Sequence, residues 1–207
     1  MSGAVAGVVL AGGLSRRMGG GDKGLKHIGG RSILDRVIAR LAPQVGPMAL
    51  NANGDPARFA HLGLPVIADS FDGYAGPLAG VLSALDWAAG LGRERVVTVA
   101  GDTPFFPRDL VRRFVQVAAE EQARIVLAGV ADPARGVVRQ PTFGLWPVEL
   151  REDLRRALDE GTRKVVAWSD RHETATAVFD GADGPDPFFN INTPHDIRQA
   201  EALLKRA

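Results

Sequence analysis

An α/β fold in three layers, with a mostly parallel sheet flanked by helices on both faces, is predicted by three features of the sequence. Short apolar runs alternate with amphipathic segments along most of the chain. The first run, Val5–Leu10, is β-branched and bounded by glycines, as is typical of a buried parallel strand. No internal repeat, low-complexity tract or linker interrupts the alternation, so we expect a single domain over residues 1–207.

The individual elements follow from apolar spacing and from capping residues. Six runs have the length and composition of strands: Val5–Leu10, Met48–Leu50, Pro65–Ala68, Val96–Ala100, Ile125–Val130 and Thr142–Trp146. Ser32 and Asp35 form a capping pair, and the apolar residues that follow recur at helical spacing until Pro43. Further helical patterns begin at four positions, the last with Thr193 as its N-cap: Pro77, Pro107, Val148 and Pro194. The Gly-, Asp- and Pro-rich segment Gly181–Pro187 is expected to be a loop.

Composition narrows the class of protein. The formal net charge of +1 gives no reason to expect nucleic acid or a membrane surface as a partner. The chain contains no cysteine, which excludes disulfides, thiolate metal sites and cysteine nucleophiles. Its amino-terminal stretch lacks the basic region of a signal peptide, and no apolar run approaches the length of a transmembrane helix. We therefore expect a cytoplasmic protein.

The segment Leu10–Lys23, which follows the first strand, is typical of a phosphate site. Gly12 and Gly13 let backbone N–H groups approach an anion, while Arg17 and Lys23 bring positive charge. A solvated cationic loop is the alternative interpretation, but such a loop does not require glycines on both sides. The ligand that this combination suits is a nucleoside triphosphate.

Two better-known phosphate loops do not fit this segment. The spacing of Gly19, Gly21 and Gly24 matches a dinucleotide fingerprint, but too many residues separate it from the strand. A P-loop ends in Gly-Lys-Ser/Thr, whereas Lys23 stands between Asp22 and Gly24. The segment is therefore a third kind of phosphate loop.

Polar residues also follow the other predicted parallel strands. Asn51 and Asn53 follow the second run, Asp69 the third and Asp102 the fourth. Ligands of open α/β sheets bind beyond the carboxyl ends of the strands, so these side chains are candidates for contact with a ligand. Asp102 is the candidate Mg²⁺ ligand, because Mg²⁺ is usually held by one or two carboxylates together with substrate phosphates. Turn formation is the alternative role for each of them.

Taken in order, the motifs resemble the molybdenum cofactor guanylyltransferases, and the likeness spans nearly the whole chain. The motifs are Leu10-Ala-Gly-Gly13 through Arg17-Met-Gly to Asp22-Lys23, Asn51-Ala-Asn53, Asp69-Ser70, Gly76-Pro-Leu-Ala-Gly80, Gly101-Asp-Thr-Pro104 and Asn190-Ile-Asn-Thr-Pro-His-Asp196. The resemblance implies a Rossmann-like fold of the nucleotide-diphospho-sugar transferase type. It also implies transfer of GMP from GTP to the terminal phosphate of molybdenum-molybdopterin, with release of pyrophosphate.

The resemblance further implies roles for individual residues. Leu10, Ala11 and Gly12 would lie along the nucleotide, Asn51 and Asp69 would help to hold the nucleoside, Lys23 would bind the phosphates, Asp102 would bind GTP and Mg²⁺, and Asn190 and Asn192 would lie at the active site. No protein nucleophile is needed, because a phosphate oxygen of the acceptor can attack the α-phosphorus directly. Lys23, Arg17 and Mg²⁺ would then neutralise charge on the pyrophosphate.

Three alternative functions, one departure from the family's pattern and one candidate substrate contact stay open at this point. The alternatives are a molybdenum cofactor cytidylyltransferase, a sugar-1-phosphate nucleotidyltransferase and a nucleotide-binding molybdopterin carrier without turnover. Where several relatives place a histidine before a proline, this chain has Gln140-Pro141. Arg163-Lys164 is a candidate contact for the second substrate, or else an ordinary helix start. Cofactor-assembly proteins and acceptor molybdoenzymes are candidate partners.

Overall fold

The computed structural model describes residues 5–12, 23–71, 76–179 and 186–205. The strands in these ranges are β1 (Ala6–Leu10), β2 (His27–Ile28), β3 (Arg31–Ser32), β4 (Met48–Asn51), β5 (Val66–Ile67), β6 (Arg95–Ala100), β7 (Ile125–Asp132), β8 (Gly136–Pro147) and β9 (Thr174–Phe179). The α-helices are α1 (Ile33–Leu41), α2 (Pro77–Gly90), α3 (Leu110–Glu120), α4 (Arg151–Asp159), α5 (Val165–Ser169) and α6 (Pro194–Leu204). Short 3₁₀ segments cover Lys23–Leu25, Ala42–Gln44, Pro56–Leu62 and Val148–Leu150.

Seven of these strands form one sheet in the order β5-β4-β1-β6-β8-β7-β9. β1 pairs in parallel with β4 and β6, β4 with β5, and β7 with β9. β8 is the exception, since it runs antiparallel to both β6 and β7. The sheet is therefore mostly parallel, which confirms the predicted fold class. β2 and β3 form a separate antiparallel hairpin.

Helices cover the sheet on both faces and bury two apolar cores. Side chains of α1 and α3 pack on one face, where Val9 of β1 and Val97 of β6 point. Side chains of α2, α4 and α5 pack on the other face against Ala6 and Val8 of β1. Residues that are adjacent in a strand thus enter opposite cores, as the alternation of side chains in a strand requires. These are the three predicted layers.

The helix α2 is buried over most of its surface. Every residue from Leu78 to Leu85 is buried, and Pro77 occupies the first turn as the sequence predicts. Among the helices in the ranges given above, none is both long and apolar enough to cross a bilayer. Gly80, in the amino-terminal turn of α2, lies against Leu10 and Asn51. This turn is therefore at the same edge of the sheet as the carboxyl ends of β1 and β4.

The structure differs from the sequence-based assignment in several elements, and β2, β3 and α5 are among those that the sequence did not predict. β9 is an additional strand. The sequence does not indicate it, because its first four residues alternate threonine and alanine and only every second residue of the strand is buried. β8 starts at Gly136, six residues before the predicted run, and α3 starts at Leu110, after a turn at Pro107. Most of the predicted loop Gly181–Pro187 lies outside the described residues.

Candidate active site

The carboxyl ends of four parallel strands lie side by side at one edge of the sheet. Leu10 at the end of β1 is level with Asn51 of β4 and with Ala100 of β6, and Asn51 is level with Ile67 of β5. Residues that follow these positions therefore share one edge. The structure thus brings together the strand ends that the sequence marks as polar.

Five residues form a hydrogen-bonded group at this edge, here named the Asp102 cluster: Lys23, Asp102, Thr103, Asn190 and Asn192. Lys23 Nζ lies 2.6 Å from Asp102 Oδ2 and 2.6 Å from Asn192 Oδ1. The hydroxyl of Thr103 lies 3.0 Å from Asp102 Oδ1 and also contacts the side-chain amide of Asn190. Residues predicted from three distant segments of the chain are therefore in direct contact.

Lys23 reaches the cluster because the short 3₁₀ turn that it opens packs closely on α1. A Cβ on Gly24 would lie 2.6 Å from Leu34 Cγ, so the backbone approaches the helix at a distance that a side chain would prevent. Leu34 itself is fully buried. The glycine after Lys23 therefore has a packing role, which the sequence alone does not show.

The capping box of α6 holds the backbone at Asn192. Ile191 N–H donates to the carbonyl of Asp102 at 2.9 Å, which joins this segment to the end of β6. The backbone N–H groups of Asn192 and Thr193 each donate to Asp196 Oδ2 at 2.8 Å. Burial alone would raise the pKa of Asp196, but these N–H donors outweigh it and lower the pKa below its usual value. The Asp196 carboxylate thus fixes the backbone that presents Asn192.

The Asp102 cluster contains oxygen atoms of the kind that can bind a metal ion. Asp102 Oδ2 and Asn192 Oδ1 already converge on one cation, the ammonium group of Lys23. Both partners of the Lys23–Asp102 pair stay partly open to solvent, with side chains that are 18% and 28% exposed. Across the described part of the chain, no group of three or more His, Cys, Asp or Glu side chains could enclose a metal ion alone. Asp102 Oδ2 and Asn192 Oδ1 are two oxygen ligands of the kind that Mg²⁺ takes.

A second group, here named the Asp69 cluster, consists of Asn51, Asn53 and Asp69. Asn51 Nδ2 donates to Asp69 Oδ1 at 3.0 Å, and Asn53 Nδ2 donates to Asp69 Oδ2 at 2.7 Å. The backbone N–H of Asp69 donates in turn to Asn53 Oδ1 at 2.9 Å. Each carboxylate oxygen keeps capacity for a further donor, so the cluster can accept hydrogen bonds from a ligand.

The end of β1 lies between the two clusters. A Cβ on Gly12 would lie 3.8 Å from the side-chain amides of both Asn51 and Asn53, and Gly12 itself is exposed. Leu10 and Ala11 place their backbone in the sheet: Gly101 N–H donates to the Leu10 carbonyl, and Ala11 N–H donates to the Asn51 carbonyl. Gly12 is thus the first exposed residue after β1.

Gly80 permits α2 to approach the Asp69 cluster. A Cβ at Gly80 would lie 2.6 Å from Asn51 Oδ1 and 3.0 Å from Leu10 Cδ2. Asn51 is only 2% exposed, so it has little room to move away. The Gly76-Pro-Leu-Ala-Gly80 motif therefore contributes a close helix contact to the site.

The remaining residues that the sequence marks as candidates do not lie in either cluster as the structure describes it. Gly13 and Arg17 lie outside the described residues. The guanidinium of Arg163 donates to the carbonyls of Leu158 and Thr162 and lies over the ring of Phe71 at 5.7 Å, so it supports the end of α4. Gln140 lies in β8 opposite Ala128, where the strand register shifts.

The sequence does not mark Thr103 as a site residue, although Thr103 is part of the Asp102 cluster. In the sequence Thr103 is one residue of the Gly101-Asp-Thr-Pro104 motif, and in the structure its side chain is fully buried and touches two predicted site residues. A hydroxyl directly after a candidate metal ligand is the signal that could have indicated it.

The chain is similar to known nucleotidyltransferases. Residues 7–175 match the model of the MobA-like NTP transferase domain. The chain is 50% identical to the molybdenum cofactor guanylyltransferase of Mesorhizobium japonicum over 97% of this chain and 96% of that protein. It is 51% identical to the protein of the same name from a Bradyrhizobium species, over 97% and 93%.

Solved structures share the fold at low sequence identity. Molybdopterin-guanine dinucleotide biosynthesis protein A from Archaeoglobus fulgidus superposes with a TM-score of 0.74 at 20% identity, covering 98% of this chain and 100% of that one. The 4-diphosphocytidyl-2C-methyl-D-erythritol synthase of Anaerococcus prevotii gives a TM-score of 0.74 at 16% identity, covering 99% and 97%.

Proposed function

The chain belongs to the molybdenum cofactor guanylyltransferase family, and from this we propose that it transfers GMP from GTP to the terminal phosphate of molybdenum-molybdopterin. The products are the molybdopterin guanine dinucleotide cofactor and pyrophosphate. The observation that carries this function is the match to guanylyltransferases at about half of all positions over nearly the whole chain. GTP and molybdenum-molybdopterin are accordingly its substrates.

We assign the nucleoside end of GTP to the Asp69 cluster. Asp69 is an acceptor-only carboxylate whose two oxygens are each oriented by an amide, Asn51 on one side and Asn53 on the other. Such a fixed acceptor suits the hydroxyl and N–H donors of a nucleoside. Gly12 leaves space beside this position, since a Cβ there would meet no atom closer than 3.8 Å, whereas Gly80 lets α2 pack closely on Asn51.

We assign the phosphates of GTP to the Asp102 cluster. Lys23 can exchange its bond to Asp102 for a phosphate oxygen, because the pair is partly open to solvent. Asp102 Oδ2 and Asn192 Oδ1 would hold Mg²⁺, which when bound offsets negative charge on the pyrophosphate leaving group. Catalysis then consists of alignment and charge neutralisation, as is typical of transfer to an oxygen nucleophile.

The test of this function is nucleotide transfer with purified protein and molybdenum-loaded molybdopterin. GTP and CTP are supplied in parallel with Mg²⁺, and both pyrophosphate and the dinucleotide product are measured. We expect stoichiometric pyrophosphate and dinucleotide from GTP, with much slower reaction from CTP. Preference for CTP would identify a cytidylyltransferase, and binding of GTP without pyrophosphate release would identify a carrier.

A further inference from the structure

Thr103 connects two residues of the Asp102 cluster through one buried hydroxyl. Its side chain is fully buried. The hydroxyl oxygen lies 3.0 Å from Asp102 Oδ1 and contacts Asn190 Oδ1. Asp102 comes from the end of β6, whereas Asn190 comes from the segment before α6, so the hydroxyl bridges two separate parts of the fold.

The hydroxyl proton can serve only one of these acceptors. A threonine hydroxyl has one donor and two acceptor lone pairs, and an ionised carboxylate has no donor at all. The proton therefore goes to Asp102, where the hydrogen bond is charge-assisted. The Asn190 amide oxygen faces the same hydroxyl, and exchanging the two ends of this amide by a flip would turn its NH₂ toward the Thr103 oxygen as a donor. In that orientation, the hydrogen bonds run from Asn190 through Thr103 to Asp102.

In this series of hydrogen bonds, the two carboxylate oxygens of Asp102 have different partners. Oδ1 of Asp102 accepts from Thr103, and Oδ2 is the atom that contacts the Lys23 ammonium group at 2.6 Å. On the basis of the proposed function, we propose that Thr103 is a positioning residue, which fixes the Asp102 carboxylate so that Oδ2 faces the cation and the phosphates of GTP.

The hydroxyl is not needed to join the two segments. Ile191 N–H already donates to the backbone carbonyl of Asp102 at 2.9 Å, and this bond does not involve a side chain. Most side-chain hydrogen bonds in proteins go to backbone or water, yet both partners of Thr103 are polar side chains of the site. The Thr103 hydroxyl thus orients the Asp102 carboxylate and is not what attaches the segment before α6 to β6.

The test compares three variants of Thr103. Thr103→Val keeps the shape of the side chain and replaces the hydroxyl with a methyl group. Thr103→Ala removes the hydroxyl without putting a methyl group in its place. Thr103→Ser keeps the hydroxyl. The matched control is Thr98→Val, because Thr98 is also fully buried in β6, and its hydroxyl donates to a backbone carbonyl at 2.9 Å away from the site. For each protein, the affinity for Mn²⁺ with a non-hydrolysable GTP analogue is measured by electron paramagnetic resonance, beside the transfer rate and the melting temperature.

We expect Thr103→Val and Thr103→Ala to weaken Mn²⁺ binding and slow transfer by about 10- to 100-fold, the effect of losing a hydrogen bond to a charged group. Thr103→Ser should stay within about threefold of wild type on the same basis. Thr98→Val should lower the melting temperature but leave Mn²⁺ affinity unchanged. Equal losses in the Ser and Val variants, or wild-type Mn²⁺ affinity in the Val and Ala variants, would overturn the proposal. A wild-type protein that transfers no GMP would refute the proposed function instead.

Discussion

Replacing Gly80 with alanine is expected to disturb the nucleoside side of the site. The new Cβ would lie 2.6 Å from Asn51 Oδ1 and 3.0 Å from Leu10 Cδ2, and the first of these distances is too short for any real contact. Asn51 is buried, and its Nδ2 is held by Asp69 Oδ1 at 3.0 Å and by the Ile67 carbonyl at 3.2 Å. Asn51 can therefore yield only by weakening these hydrogen bonds.

The change in the free energy of unfolding is the balance of a helical gain against the costs of overpacking and of lost hydrogen bonds. Alanine in place of glycine within a helix stabilises by up to about 1 kcal/mol. Overpacking a closely packed interior costs about 1 to 3 kcal/mol, and each net hydrogen bond lost by Asn51 costs about 1 kcal/mol more. We expect a net loss of about 1 to 3 kcal/mol in the free energy of unfolding, because the unfavourable contributions exceed the helical gain. GTP affinity should fall about tenfold or more, since the moved amide also orients Asp69.

The assay is urea unfolding together with calorimetric titration of GTP, and Gly90 supplies the matched control. Gly90 ends the same helix, and a Cβ there would meet no atom within 4 Å. Gly90→Ala should therefore leave GTP affinity unchanged and leave stability unchanged or raised by up to about 1 kcal/mol. If Gly80→Ala were as stable as Gly90→Ala and bound GTP as wild type does, the reasoning about close contact at Asn51 would be refuted.

Three further predictions concern catalysis, packing and pH. Lys23→Ala and Asp102→Ala should each slow GMP transfer by about 100-fold or more, and near-normal turnover in either variant would contradict the assignment. Trp146→Phe removes the indole donor that lies 2.8 Å from the buried Thr98 hydroxyl and should cost about 1 to 3 kcal/mol in urea unfolding; an unchanged midpoint would refute this. The pKa of Asp196 is lowered in the folded state, so its carboxylate stabilises the fold above its unfolded pKa of about 4, and this contribution is lost as the pH falls through the folded pKa. The stability difference between wild type and Asp196→Asn should therefore shrink in acid, and a difference that grows below about pH 4 would contradict the sign.

Much of the fold could be predicted because local patterns and the tertiary structure agree. The run before Gly12 is apolar and β-branched, Pro77 fits the first turn of a helix, and Thr193 caps α6 as its sequence indicates. The convergence of polar strand ends follows from the general geometry of parallel sheets. These features depend on residues that are close together in the sequence.

The remaining features depend on contacts between distant segments. β9 pairs with β7 across more than 40 residues, and its alternating Thr-Ala pattern becomes interpretable only once its partner is known. Likewise, Thr103 is an ordinary turn residue in the sequence until the chain brings Asn190 against it, 87 positions away. The division of the site into two clusters was also not visible, because spacing along the chain does not determine which amide meets which carboxylate.

The most direct test of the whole account is a crystal structure of the protein with Mg²⁺ and a non-hydrolysable GTP analogue. We expect the metal at about 2.1 Å from Asp102 Oδ2, the triphosphate against Lys23, and the nucleoside on the Asp69 side. A triphosphate bound elsewhere, or an Asp102 carboxylate turned away from the metal, would contradict the proposed site.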